Sequence, residues 1–174
     1  MELLYWQRTK CRPGIIYFSY TAAGLHSLCF PPGPPPDGEG QTRWGNPDRE
    51  PTWVKDFVKS LQGYFLGEKN DFRSFPVDVG AYPAFSRRVL LKAREIPYGE
   101  TLSYQALAAA ASKPGAARAV GNIMSKNPLP LVIPCHRVIN KDGGLGGFKG
   151  GLDWKKYLLQ LENAGNPCGK KEIT

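Results

Sequence analysis

The chain has 174 residues, 41% hydrophobic and 22% charged, with a net charge of +8, which are the proportions of an ordinary globular protein with room for one large core or two small ones. No run approaches the roughly 18 apolar residues that cross a bilayer, and charge enters residues 1–8 too early for a signal peptide, which points to the cytoplasm and away from a membrane partner. Four cysteines without a C-x-x-C pair and two distant histidines disfavour a structural zinc site, and cytosolic thiols stay reduced.

The charge is unevenly divided. Residues 1–79 hold nine Lys/Arg and nine Asp/Glu, whereas residues 80–174 hold fourteen and six and carry the whole excess. A basic half beside a neutral one suggests a polyanionic partner, most often nucleic acid. A basic tail with Lys170 and Lys171 accounts for only two of the charges.

Residues 3–6, 14–20 and 24–30 are short, β-branched or aromatic, and bounded by turn residues. They predict a small antiparallel sheet with a hairpin turn at 21–24. His26 falls inside a strand, where a packed or edge position is expected, and Cys11, Cys29 and His26 lack a fourth metal ligand. Residues 31–52, opening on Pro31-Pro32-Gly33-Pro34-Pro35-Pro36, read as a long, mobile surface connection. Trp53, Val54, Phe57, Val58, Leu61, Tyr64 and Phe65 recur at helical spacing up to Gly67. Residues 75–80 then lead out of a first domain, 1–79.

In the second domain, 80–166, one helix carries Phe85, Val89, Leu90, Ala93 and Ile96 on one face and stops at Pro97. Ser103 is placed to cap a helix over 104–111. A four-residue turn, Ser112-Lys113-Pro114-Gly115, leads to a second helix over 116–125, and the pair matches a helix-turn-helix. That second helix is Ala and Gly around one arginine, Arg118. A helix reading bases in the major groove would carry several long polar side chains, so a sequence-specific regulator is disfavoured.

Asn127-Pro128 and Leu129-Pro130 break the helix before Cys135-His136-Arg137. Cys135 is either a buried structural cysteine or a nucleophile whose pKa is lowered by neighbouring positive charge and a basic imidazole; the second reading is the stronger. Were both residues extended, the thiol and imidazole would face opposite ways, so a turn or a water must connect them. Residues 141–151 are glycine-rich but lack the G-K-[ST] end of a phosphate loop, and suit the wall of a pocket. A last helix, from Asp153 to about Asn163, is expected to turn Trp154, Leu158 and Leu161 inward, with Glu162 in its final turn. Residues 167–174 read as a loose tail, with Cys168 a spectator.

Taken together, Pro97-Tyr98-Gly99-Glu100-Thr101, Ser103-Tyr104, Arg118-Ala119-Val120-Gly121, Asn127-Pro128, Pro130, Ile133-Pro134-Cys135-His136-Arg137-Val138 and Gly150-Gly151-Leu152 resemble the O6-alkylguanine-DNA alkyltransferase family, also called methylated-DNA–protein-cysteine methyltransferases. The match covers roughly residues 80–165; the first 75 resemble the family only in outline. The implied fold is α+β, a small N-terminal antiparallel sheet with a helix (ribonuclease H-like), followed by a mainly helical, helix-turn-helix (winged-helix-like) catalytic domain.

The implied activity is direct reversal of DNA damage, a single-turnover transfer of a methyl or larger alkyl group from O6-alkylguanine, or O4-alkylthymine, to Cys135 by a monomer on double-stranded DNA, without a cofactor. His136 would take the thiol proton through a water, Glu162 would support the imidazolium, Asn127 would brace the turn and Tyr104 would help protonate the departing guanine. Arg118 would fill the stack left by the extruded base. Ala117, Ala119, Gly121, Ser103 and Tyr104 would contact DNA in the minor groove. Pro130, Val138, Phe148, Lys149, Gly150 and Met124 would line the base pocket. Two departures stand out: only His26 falls near a family zinc ligand, so no metal is expected, and Phe148 stands where many members have Tyr. The rival readings are an alkyltransferase-like lesion-binding protein, a helix-turn-helix regulator without catalysis, and a cysteine hydrolase. Cys135 argues against the first, and the third leaves the basic half unexplained.

Overall fold

Alternating burial builds the first sheet. Along the second half of β1 (Tyr5–Cys11) Thr9 and Cys11 are buried while Arg8 and Lys10 face out, a period-2 pattern, whereas Trp6, on the side of Arg8, is also buried. The computed structural model describes residues 4–33, 43–45 and 50–164. It divides the chain into two compact units, Met1–Val79 and Gly80–Thr174. The expected tail at 167–174, with Cys168, lies outside the described residues, as does most of the Pro/Gly-rich stretch 31–52.

In the first unit, β1 pairs antiparallel with β2 (Gly14–Thr21), and β2 with β3 (Gly24–Cys29). The first strand is longer than the expected 3–6, because Gln7, Arg8 and Lys10 hide its pattern from an apolar count. A second correction concerns the connection: Arg43–Trp44 forms a short edge strand, β4, parallel to β1. The sheet is therefore mixed, in the order β3-β2-β1-β4. The segment expected to lead out of the domain instead extends the sheet, since Leu25 donates to Pro76 O and Asp78 to Leu25 O. Gly24 is required there: at φ +139° it approaches Pro76 so closely that a Cβ would lie 2.5 Å from the Pro76 carbonyl carbon. His26, half-exposed, faces Asp78 at 3.5 Å. Helix α1 (Thr52–Phe65) buries Val54, Phe57, Leu61, Tyr64 and Phe65, and Phe57 meets Phe18, Phe72 and Phe75 edge-on.

In the second unit, α2 (Ala84–Arg94), α3 (Tyr104–Ala110) and α4 (Ala117–Ser125) pack together through Val89, Leu90, Ala93, Leu107, Ala108, Val120 and Met124. The Ser103 hydroxyl caps α3 by accepting from Ala106 N at 3.1 Å. Ser112 (φ +59°) and Gly115 (φ +87°) take left-handed conformations in the turn between α3 and α4. Two elements escaped the sequence reading, β5 (Leu102–Ser103) and β6 (Val138–Ile139), which pair in parallel. They tie the start of the helix-turn-helix to the chain just after Cys135. In α5 (Leu152–Ala164) the expected inward face was misplaced. Lys155, Leu158, Leu159 and Glu162 are buried, while Trp154 and Leu161 are only partly so. Two of the four inward residues are charged, so an apolar stripe could not reveal them.

Candidate active site

Proline and asparagine shape the turn that carries the cysteine. Pro134 sits at φ −77°, ψ 68° and Cys135 N donates to Ile133 O at 2.7 Å, an inverse γ-turn. A 3-10 turn, Cys135–Arg137, follows at once. Upstream, Leu131 is buried at φ +79°, a conformation that a bulky residue adopts only where its surroundings enforce it. Asn127, wholly buried, braces the turn from inside: its amide donates to Ile133 O at 2.7 Å and to Cys135 Sγ at 3.1 Å, and its carbonyl accepts from Leu129 N at 3.1 Å. Because 135 and 136 lie in a tight turn, the thiol and imidazole are not forced to opposite faces of a strand.

His136 is buried, with Nε2 2.8 Å from Glu162 Oε1. Arg137 donates to the same carboxylate through Nε, at 3.2 and 3.0 Å, and Nη2, at 2.9 Å. Gly99 N adds a contact at 3.1 Å. Burial by itself would raise the Glu162 carboxyl, but hydrogen-bonded His136 and the Arg137 fork outweigh it and hold the group well below the ordinary carboxylate range. An ionised carboxylate only accepts hydrogen bonds, so His136 Nε2 carries its proton and Nδ1 is the basic nitrogen. Among the described residues Nδ1, though buried, has no hydrogen-bond partner. Burial lowers the imidazole pKa despite Glu162, so His136 rests neutral.

The thiol differs from the sequence expectation. Burial pushes Cys135 up to about 11, against the Asn127 hydrogen bond and the charge of Lys155. At neutral pH the group rests as the thiol. Cys135 is therefore not activated at rest; a base must take its proton when it reacts.

Of the other residues singled out, Tyr104 is half-buried and its hydroxyl donates to Gly147 O at 3.4 Å. Gly146 (φ +64°) lies against the Tyr104 ring, where a Cβ would come within 2.6 Å of the hydroxyl. Val138 and Pro130 are buried beside the turn, Phe148 is partly buried, and Lys149 and Gly150 are exposed. Met124 faces the core of α4. Arg118 and Ala119 are exposed on α4, with Ala117 and Gly121 partly so. Ser103 is engaged as the cap.

The sequence reading assigned no role to two residues that the structure draws in. Arg137 is almost wholly buried and also donates to Ile96 O at 2.6 Å through Nη1. Lys155 is fully buried and donates to Val138 O at 2.6 Å and to Leu145 O. Adjacency to His136 could have pointed to Arg137; for Lys155 the helical spacing Lys155–Glu162, two turns on one face, was the available signal.

A buried Cys–His–Glu array joined to a helix-turn-helix, in the half of the chain that holds all the excess positive charge, defines a DNA-binding protein with an acceptor or nucleophilic cysteine. The family described as "6-O-methylguanine DNA methyltransferase, DNA binding domain" matches residues 84–164. The chain is 40% identical over 124 residues, 71% of its length and 69% of the relative's, to the methylated-DNA–protein-cysteine methyltransferase of Methanothermobacter thermautotrophicus. It is 41% identical over 128 residues, 74% of each chain, to that of Mycobacterium bovis. The fold is similar to that of Mycobacterium tuberculosis OGT in complex with DNA, with a TM-score of 0.78, 30% identity, and coverage of 94% of this chain and 96% of that one. The chain belongs to the methylated-DNA–protein-cysteine methyltransferase family.

Proposed function

We propose that this protein repairs DNA by transferring an alkyl group irreversibly from O6-alkylguanine to Cys135. The observation that carries the reading is the buried array Asn127–Cys135–His136–Glu162, in which an ionised carboxylate leaves His136 Nδ1 as a base without a hydrogen-bond partner among the described residues. A water bridges Nδ1 to the thiol and takes its proton to His136, and Glu162 stabilises the imidazolium as the thiolate forms. Sulfur attacks the alkyl carbon, a carbon–sulfur bond forms, and the bond from that carbon to guanine O6 breaks. Guanine leaves with its electron pair and regains one proton through Tyr104, so the proton lost by the thiol balances the one gained by the base. The product is a thioether with no ready hydrolysis route, and each molecule acts once.

The target atom is inaccessible within a duplex, so the base is extruded. Exposed Arg118 fills the gap, and the small residues Ala117, Ala119 and Gly121, with Ser103 and Tyr104, let α4 and the start of α3 approach the minor groove. The base enters a pocket walled by Pro130, Val138, Phe148, Lys149, Gly150 and Met124. In this reading residues 80–166 form a winged-helix-like catalytic domain, and 1–79 a ribonuclease H-like companion. The protein works as a cytoplasmic monomer without a metal. Alkyltransferase-like proteins that bind lesions without repair lack the acceptor cysteine, which is present here.

The test is stoichiometric. After incubation with duplex DNA carrying O6-methylguanine, mass spectrometry should find one methyl group, on Cys135 and on no other cysteine. Continuous turnover, or methylation that survives Cys135→Ala, would overturn the mechanism.

A further inference from the structure

The apolar face of α2 begins at Phe85, yet Phe85 is only partly buried, while Val89, Leu90 and Ala93 behind it are closed off. Two cations gather at its ring. Arg88 Cζ lies 5.8 Å from the ring centre and Lys113 Nζ 5.1 Å from it, both within the range in which an aromatic face attracts a cation. Lys113 comes from the turn between α3 and α4, where its backbone N–H donates to Ala108 O at 2.9 Å. Arg88 engages only Nε, which donates to Ala111 O at the end of α3 at 3.4 Å.

Two like charges at one ring repel each other, and no carboxylate relieves them. The helices α2, α3 and α4 and the turn Ser112–Gly115 contain no Asp or Glu. Acidic side chains resume only at Glu95, which holds Lys92, and among the described residues neither Arg88 nor Lys113 enters an ion pair. The terminal guanidinium nitrogens and the ammonium are exposed donors. The turn beside them is open: Ser112 to Gly115 are exposed, and a Cβ on Gly115 would meet nothing within 4 Å. A guanidinium fork with an ammonium beside it suits phosphate oxygens. A repeating polyanion fits an acid-free surface spread over three helices better than a single carboxylate does.

We propose that Arg88 and Lys113, held against Phe85, form a phosphate-binding fork that grips the DNA backbone from α2 and the turn, apart from the α4 face that carries Arg118. It touches no base edge, so it holds damaged and undamaged DNA alike. The proposal rests on the DNA reading above, and its test uses undamaged duplex, with affinity read by fluorescence anisotropy from about 50 to 200 mM salt. In the full chain carrying Arg88→Ala and Lys113→Ala together, the slope of log affinity against log salt should flatten by about two, one for each lost phosphate contact. Phe85→Leu keeps both charges but frees them, and should weaken binding about two- to fivefold. An unchanged slope in the double variant, or parental affinity in Phe85→Leu, would make the cluster a staple between α2 and the turn and overturn the proposal. Should the alanine variant fail to fold, Arg88→Gln with Lys113→Gln keeps the side-chain stems, removes the charges and is read in the same way. Salt-independent binding by the parent chain would instead overturn the DNA reading, and the fork with it.

Discussion

Replacing Glu162 by Gln changes one oxygen to an amide nitrogen at the most connected point of the site. Four N–H groups converge on the carboxylate: His136 Nε2, Arg137 Nε and Nη2, and Gly99 N. Glutamine offers one acceptor oxygen, and its own NH2 faces hydrogens. The Arg137 guanidinium, 1% exposed, is left as a buried charge without a counter-charge, a loss of about 3–5 kcal/mol. Domains of this kind hold only about 5–15 kcal/mol in total. At about 4–8 °C per kcal/mol for a unit of this size, the Tm should drop by more than about 10 °C. Calorimetry at pH 7.5 measures this. Single-turnover transfer measured well below the new Tm should also slow by about a hundredfold or more, the usual scale of a lost general base. A Tm within about 3 °C of the parent together with an unchanged rate would refute the reasoning, because it would mean that the carboxylate neither neutralises Arg137 nor supports His136.

Asn127→Ala strands Ile133 O and Leu129 N in the interior and removes the hydrogen bond to the thiol; urea unfolding should lose about 2–5 kcal/mol, and the folded fraction should react more slowly with alkylguanine. Arg118→Ala should weaken repair in duplex DNA and spare reaction with free O6-benzylguanine, whereas equal losses on both would count against a role in extrusion. Stability should fall on acidification in two stages. The unfolded chain takes up a proton on His136 below its ordinary pKa of 6.5 that the fold refuses, and another on Glu162 below 4.5. Urea midpoints measured from pH 7.5 to 2.5 should show both stages, and Glu162→Gln should abolish only the lower; a flat profile would contradict the assigned protonation states.

Much of this was legible in the chain because the relevant signals are local. Ser103 before an Ala-rich run marks a cap whatever surrounds it, and the proline and glycine punctuation around α1, α2 and the helix-turn-helix set their ends near where they fall. Cys135, His136 and Asn127 stand in motifs, Glu162 enters only through the resemblance those motifs carry, and the structure brings the four together. What escaped depends on partners distant in sequence. Arg43–Trp44 and Leu102–Ser103 are two-residue strands with no periodicity of their own, formed only because β1 and β6 present open edges. The raised pKa of the thiol was missed for the same reason, since a count of neighbouring cations says nothing of the desolvation that outweighs them.

The misreading of α5 is the more instructive failure. Counting apolar residues places Trp154, Leu158 and Leu161 inward, yet the helix turns Lys155 and Glu162 to the interior and leaves Trp154 only partly buried. Burying a lysine and a glutamate seven residues apart on one helix is unfavourable unless each finds its partners, and each does, on segments immediately after the cysteine. Glu162 takes His136 and Arg137, and Lys155 takes Val138 and the glycine loop. The rotation of α5 is thus set less by its apolar content than by two polar anchors, each about one turn from Leu158 on either side of it. A charge reversal that kept the helix apolar moment but exchanged these anchors would leave both ions facing carbonyls or cations of the wrong sense. The active-site array therefore specifies the docking of the helix that completes it.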